Sequence, residues 1–188
     1  MEAYRLYTYR TTNPQSSFSS AATAMSDITL SDLSYITRES LSKQLLESES
    51  APQIPTNVAI IDVRDSDHIG GHIRGSTWIP SSELDYKLPE LVRTLKGKDT
   101  VIFHCALSQQ RGPSAALRYL REKKRLDPEG KAEGKGEAKE GGEDSKEEEK
   151  KAQEVLVLDG GFTKWQEKYG EDKRLTEAYQ KDIWAFGY

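Results

Sequence analysis

The chain has one cysteine, Cys105, so no disulfide can close within it, and nothing in its make-up suggests a stapled, secreted scaffold. No apolar run approaches the roughly 20 residues of a membrane-spanning helix, which argues against a membrane protein. Positive charge is not in excess either: 27 Lys and Arg stand against 31 Asp and Glu, for a net charge of −4. A nucleic-acid partner would call for a basic face that displaces counterions from phosphates, so this class is set aside. Large apolar residues vanish altogether in one place. From Pro128 to Lys151 there is no Leu, Ile, Val, Met or aromatic residue, and six Lys against nine acids leave that stretch at −3. It cannot bury enough surface to offset the entropy of ordering, so residues 126–153 are read as a disordered charged insertion. A regulatory or partner-binding tail is the alternative.

What remains of the 188 residues suffices for one domain with a proper core, assigned to residues 30–188. Residues 1–29 are Ser/Thr-rich and are read as a disordered leader. Over the first 25 residues, Arg5 and Arg10 against the single acid Glu2 give it a faint likeness to an organelle transit peptide. The expected location is therefore cytoplasm or nucleus, and the mitochondrion if the leader is a transit peptide. A monomer is expected.

Hydrophobic patterning gives an alternating α/β order. Thr37 is placed as the N-cap of a helix that puts Leu41 and Leu45 on one face and ends near Glu49, ahead of Pro52 and Pro55. Val58-Ala59-Ile60-Ile61 is a continuous apolar run, as expected of a strand buried on both faces. A Gly-rich loop from Ile69 to Gly75 leads to a short strand at Thr77-Trp78-Ile79, then to a helical stretch from Ser82 to Leu95 interrupted by Pro89. Val101-Ile102-Phe103 is a second buried strand, Gly112-Pro113 opens a helix to Arg125, Val155 to Leu158 is a third buried strand, and Phe162 to Tyr169 a further helix. Strands separated by helices imply a parallel sheet of about five strands with helices on both faces. The charged insertion then falls inside the domain, between a helix and a strand.

The chemistry is expected where the strand Val101-Ile102-Phe103 delivers His104-Cys105 to the carboxyl edge of the sheet. Five residues separate Cys105 from Arg111: Ala106, Leu107, Ser108, Gln109 and Gln110. Their backbone N–H groups can curl around an anion, with the positive end of the following helix behind them. Arg111 can hold two oxygens of a tetrahedral oxyanion in its planar fork. The same field favours a thiolate, so Cys105 is the candidate nucleophile, Arg111 the oxyanion clamp, and Ala106 through Arg111 the substrate cradle. The spacing alone is weak, and a lone cysteine is more often a small buried hydrophobe. The setting of strand, polar loop, arginine and Gly-Pro helix start gives it weight.

The segments Ile60-Ile61-Asp62-Val63-Arg64 and Gly70-Gly71-His72-Ile73-Arg74-Gly75-Ser76 resemble the first signature of rhodanese-like domains, and Val157-Leu158-Asp159-Gly160-Gly161-Phe162-Thr163-Lys164-Trp165 resembles the second. With the cysteine loop between them, the resemblance covers Ile36 to Lys168 apart from the insertion. It implies a rhodanese-like fold. Within that family a loop with five residues between Cys and Arg resembles the M-phase inducer dual-specificity phosphatases and the eukaryotic arsenate reductases, and His104 through Pro113 is especially similar to small plant and fungal members. Sulfurtransferases have a shorter loop.

The resemblance implies a phosphatase acting on phosphotyrosine-like phosphomonoesters through a phosphocysteine, without cofactor, on a phosphorylated protein or small oxyanion. The alternatives are an arsenate reductase drawing on external glutathione or glutaredoxin, and a weakly active module that binds anions or phosphoproteins. Two departures matter. Gln110 stands where the M-phase inducers have a Glu proposed to protonate the leaving group, so poor leaving groups are expected to react slowly. Val63 stands where they carry a second cysteine, so no internal resolving thiol exists.

Other residues are given structural readings. His68 and His72 sit four apart, but Gly70 and Gly71 deny them a helix, and no metal site is expected. His104 should face away from Cys105 and be hydrogen-bonded. Asp62 should accept hydrogen bonds from nearby loop amides. Ser108 is a candidate hydrogen-bond donor to the thiolate. Trp165, Trp184 and Phe186 are read as packing residues.

Overall fold

A computed structural model describes residues 28–48, 53–127 and 152–185. Five strands form one wholly parallel sheet: β1 (Ser34–Ile36), β2 (Val58–Asp62), β4 (Thr77–Trp78), β5 (Thr100–His104) and β6 (Glu154–Leu158), in the spatial order β1-β6-β5-β2-β4. The two-stranded antiparallel pair of β3 (His72–Ile73) and β7 (Thr176–Glu177) stands beside it. The helices are α1 (Arg38–Glu47), α2 (Leu84–Thr94), α3 (Arg111–Leu126), α4 (Gly161–Tyr169) and α5 (Lys181–Ala185).

Alternation along the strands splits the core in two, because successive side chains leave opposite faces of a sheet. Ala59, Ile61, Val63, Val101, Phe103, Val155 and Val157 pack against Leu84, Leu88, Leu91 and Val92 of α2 and Ala115, Ala116 and Tyr119 of α3. Val58, Ile60, Ile102, Leu156 and Leu158 pack against Leu41 and Leu45 of α1 and Phe162 and Trp165 of α4. Helices therefore cover both faces, as the apolar strands require.

Thr37 caps α1 through its side chain, accepting from the Ser40 amide, and the helix ends at Glu47, two residues before the expected Glu49. The helical stretch expected over residues 82–95 is Leu84–Thr94 in the structure. α2 runs unbroken through Pro89. Proline lacks one backbone donor there, and the burial of Leu84, Leu88, Leu91 and Val92 on both sides of it offsets that loss. The strand Ser34–Ile36 escapes sequence reading because only Ile36 of its three residues is buried. Gly70 and Gly71 adopt φ of 74° and 115°, which confirms a loop between His68 and His72.

The charged insertion and the leader fall largely outside the described residues, as does Phe186. At the insertion's edges Leu126 closes α3, and the Gln153 side chain donates to the Leu95 and Lys98 carbonyls. Among the described residues no helix is long and apolar enough to cross a membrane.

Candidate active site

Three strands end together at the carboxyl edge, and each contributes one wall of the site. β5, at the centre, releases Cys105; β2 on one side releases the turn Asp65-Ser66-Asp67; β6 on the other releases Asp159-Gly160-Gly161.

The cysteine loop is wound tightly. Ser108 takes a left-handed conformation, φ 53°, and its amide nitrogen lies 3.2 Å from the Cys105 sulfur. Its hydroxyl does something else: it accepts from the Cys105 amide at 3.4 Å. The hydrogen-bond donor that Ser108 offers the sulfur is therefore its backbone N–H. Only 3% of Cys105 is exposed, yet it lines an open hollow of about 250 Å³ with Ala106, Leu107, Gln109, Gln110 and Arg111. Among the described residues no side chain caps α3, so the Arg111 and Gly112 amides at its start are open to a ligand on this side. The sulfur is thus recessed at the floor of a concavity edged by peptide donors.

The loop is also gripped from behind. The Phe162 and Thr163 amides, in the first turn of α4, donate to the Cys105 and Ala106 carbonyls, both at 2.9 Å. That contact needs Gly161, since a Cβ there would lie 2.5 Å from the Cys105 carbonyl oxygen, and φ at this residue is 59°.

Arg111 does not stand free. One terminal nitrogen, Nη1, donates to Asp65 at 3.0 Å and to Asp67 at 2.7 Å, and Nη2 donates to the other oxygen of Asp67. The hydrogen bonds of Asp67 hold the guanidinium well above its ordinary pKa, with Asp65 adding to the effect. In return Arg111 holds the Asp67 carboxyl below its usual range. Burial works against the Asp65 charge, and the hydrogen bonds from Ser81 and Arg111 outweigh it. All three groups are charged at neutral pH. Asp65 and Asp67 are the residues that sequence reasoning missed, because the neighbouring of β2 and β5 is not written in the chain order.

Behind the loop lies a second polar group. Arg64, wholly buried, donates to Asp62 from Nε and Nη2, to the Gly71 carbonyl, and stacks its guanidinium 4.3 Å over the Phe162 ring. Asp62 thus pairs chiefly with a guanidinium and, of the loop amides, with that of Arg64. Burial opposes the Asp62 charge, but the adjacent His104 ring and the hydrogen bonds and charge of Arg64 keep its carboxyl below the ordinary value. His104 does face away from Cys105, towards Phe162 and Asp62. Its Nδ1 lies 3.3 Å from the Cys105 carbonyl, while Nε2 has no hydrogen-bond partner among the described residues, so the expected bonding is only half met there. Burial lowers the His104 pKa despite the Asp62 carboxylate 3.8 Å away, which makes the ring neutral at pH 7 rather than an ion-pair partner. His68 stacks on Trp78, and the described residues contain no cluster fit to hold a metal. Trp165 is fully buried, and Trp184 packs edge-on against Phe162 while donating to the Gly70 carbonyl.

Residues 42–168 match the rhodanese-like domain. The chain belongs to the rhodanese-like domain family. It is 38% identical over 136 residues to a CDC25-like phosphatase of Saccharomyces cerevisiae, covering 66% of this chain and 76% of that one. It is 37% identical over 143 residues to arsenate reductase 2.1 of Oryza sativa, covering 74% and 72%. Among solved structures, a Saccharomyces cerevisiae homologue of single-domain rhodanese and of the Cdc25 phosphatase catalytic domain superposes with a TM-score of 0.61 at 30% identity, covering 83% of this chain and 94% of that one. This rhodanese-like chain is thus related to the CDC25-type dual-specificity phosphatases and eukaryotic arsenate reductases, and it is an enzyme of that general kind.

Proposed function

We propose that the protein is a cysteine-dependent phosphatase that hydrolyses phosphotyrosine-like phosphomonoesters through a phosphocysteine at Cys105. The observation that carries this reading is the recessed sulfur faced by the Ser108 amide, in a loop whose five intervening residues end at Arg111. A phosphoryl group seated there would place its oxygens against peptide N–H groups from Ala106 to Arg111 and against the Arg111 guanidinium. The sulfur attacks phosphorus, and the bond to the ester oxygen breaks with its electron pair on that oxygen, which takes a proton. Water then attacks the phosphocysteine, the S–P bond returns its electrons to sulfur, and inorganic phosphate leaves.

No loop side chain can donate the leaving-group proton, since Gln110 replaces an acid and Asp65 and Asp67 are held ionised by Arg111. Solvent supplies it. Leaving groups of low basicity, such as phenols, are therefore preferred over serine alkoxides.

Arsenate reduction is the second reading, favoured by the likeness to the rice arsenate reductase. Without a thiol at Val63, the second sulfur would come from glutathione or glutaredoxin. Parallel assays on an aryl phosphate, on arsenate with glutathione and glutaredoxin, and on thiosulfate with cyanide separate the two readings from each other and from sulfur transfer. The phosphatase reading expects the aryl phosphate to win and Cys105→Ser to abolish turnover in all three. A wild-type protein that reduces arsenate but leaves the aryl phosphate intact would reverse the order.

A further inference from the structure

Arg111 carries two usable edges. Its end, formed by Nη1 and Nη2, is taken by the two oxygens of Asp67, with Asp65 adding a third bond to Nη1. Its side, formed by Nε and the outer N–H of Nη2, makes no hydrogen bond to any described residue. A tetrahedral anion can be gripped along that side while the end stays paired, because the two edges point in directions about 120° apart in a planar guanidinium.

The acidic turn is itself braced. Asp65 accepts from the Ser81 hydroxyl at 2.6 Å and from the Ser82 amide at 3.2 Å, and Asp67 accepts from the Asp65 amide at 2.9 Å. The Trp78 indole donates to the Arg64 carbonyl just upstream, at 2.7 Å. The turn is thereby tied to β4 and to the start of α2.

We propose that Asp67, braced by Asp65, is the positioning residue for Arg111: it holds the guanidinium by its end and so leaves the side edge as the one that meets the substrate oxyanion. This rests on the oxyanion-cradle reading above. The opposite role is physically distinct. Two carboxylates beside an anion site repel the ligand, and a carboxylate that merely competed for Arg111 would weaken anion binding. Positioning and competition therefore predict opposite signs when the Asp67 charge is removed.

The test uses the full-length protein and neutral iodoacetamide, whose rate of alkylating Cys105 is measured with increasing inorganic phosphate. In wild type, phosphate protects the thiol. In Asp67→Asn the half-protecting phosphate concentration should rise about tenfold, the scale expected when a binding group loses its orientation. The alkylation rate without phosphate should stay within about twofold. Asp67→Glu, which keeps the carboxylate, should recover part of the loss. If Asp67→Asn does not fold, Asp65→Asn, which removes one bond of three, should weaken protection in the same sense by a smaller factor. Unchanged or tighter phosphate binding in the variants overturns the proposal. A wild-type protein that phosphate protects but that fails to hydrolyse the aryl phosphate removes the phosphatase reading and leaves the positioning role standing. Absence of protection in wild type overturns both.

Discussion

The amide of Ser108, not its hydroxyl, faces the sulfur of Cys105, at 3.2 Å. The hydroxyl is turned inward to the Cys105 amide, and the backbone pays for this geometry with a left-handed φ of 53°. Ser108→Gly and Ser108→Ala both remove the hydroxyl and keep the donor. Glycine relieves the backbone, so the Gly variant should be the more stable of the two by about 1 kcal/mol in chemical denaturation. Turnover of an aryl phosphate should stay within about tenfold of wild type in both. A loss of a thousandfold in each would show the hydroxyl to be the essential group.

Gly161 sets the height of the cysteine loop from behind. Gly161→Ala would force a methyl against the Cys105 carbonyl and require φ near 59° of a residue that resists it. The loop must lift, or α4 must retreat and release the Phe162 and Thr163 amides from their carbonyls. Activity should fall by about a hundredfold or more. Stability should fall by about 1–3 kcal/mol. Steady-state kinetics and a melting curve on the same preparation check both.

The buried Asp62–Arg64 pair is expected to be intolerant of one-sided change. Arg64→Leu leaves a carboxylate with no exposure facing a neutral neighbour, a situation that costs about 3–5 kcal/mol. The same change also removes the guanidinium stacked on Phe162. Equilibrium unfolding of Arg64→Leu against the double variant Asp62→Asn with Arg64→Leu should show the double variant recovering part of the loss.

Stability should decline as the solution is acidified through the range below pH 6.5. Burial holds His104 below its ordinary value of 6.5, so the unfolded chain takes up a proton there that the folded chain refuses. Stability from this group is complete above pH 6.5 and diminishes as pH falls towards the folded value, at up to about 1.4 kcal/mol per pH unit. His68, likewise lowered by burial, adds to the slope. His104→Asn should flatten the slope without abolishing it, as read from unfolding free energies between pH 5 and 8.

The parts of this molecule that are legible in its sequence are those where a short stretch of chain decides the outcome. β2, β5 and β6 are buried on both faces, so each carries an unbroken apolar run, and the loop from Cys105 to Arg111 declares itself by following one of them. β1, β3 and β7 hold three, two and two residues and take their order from partners distant in sequence, which no local pattern reports. The same holds within the site. Cys105 and Arg111 belong to one loop, whereas Asp65, Asp67 and Gly161 reach it only because β2 and β6 flank β5. That Ser108 meets the sulfur through its amide while its hydroxyl turns to the Cys105 amide shows only in three dimensions.

Glu154 pairs with Thr100 at the amino edge of the sheet, a full strand, or about 16 Å, from the end that releases Cys105. The chain leaves α3 at Leu126 and returns at that far edge. Length and charge can thus be spliced into this crossover, or a fluorophore, affinity handle or second protein grafted there, at a pole of the molecule where the reacting thiol does not register the surgery.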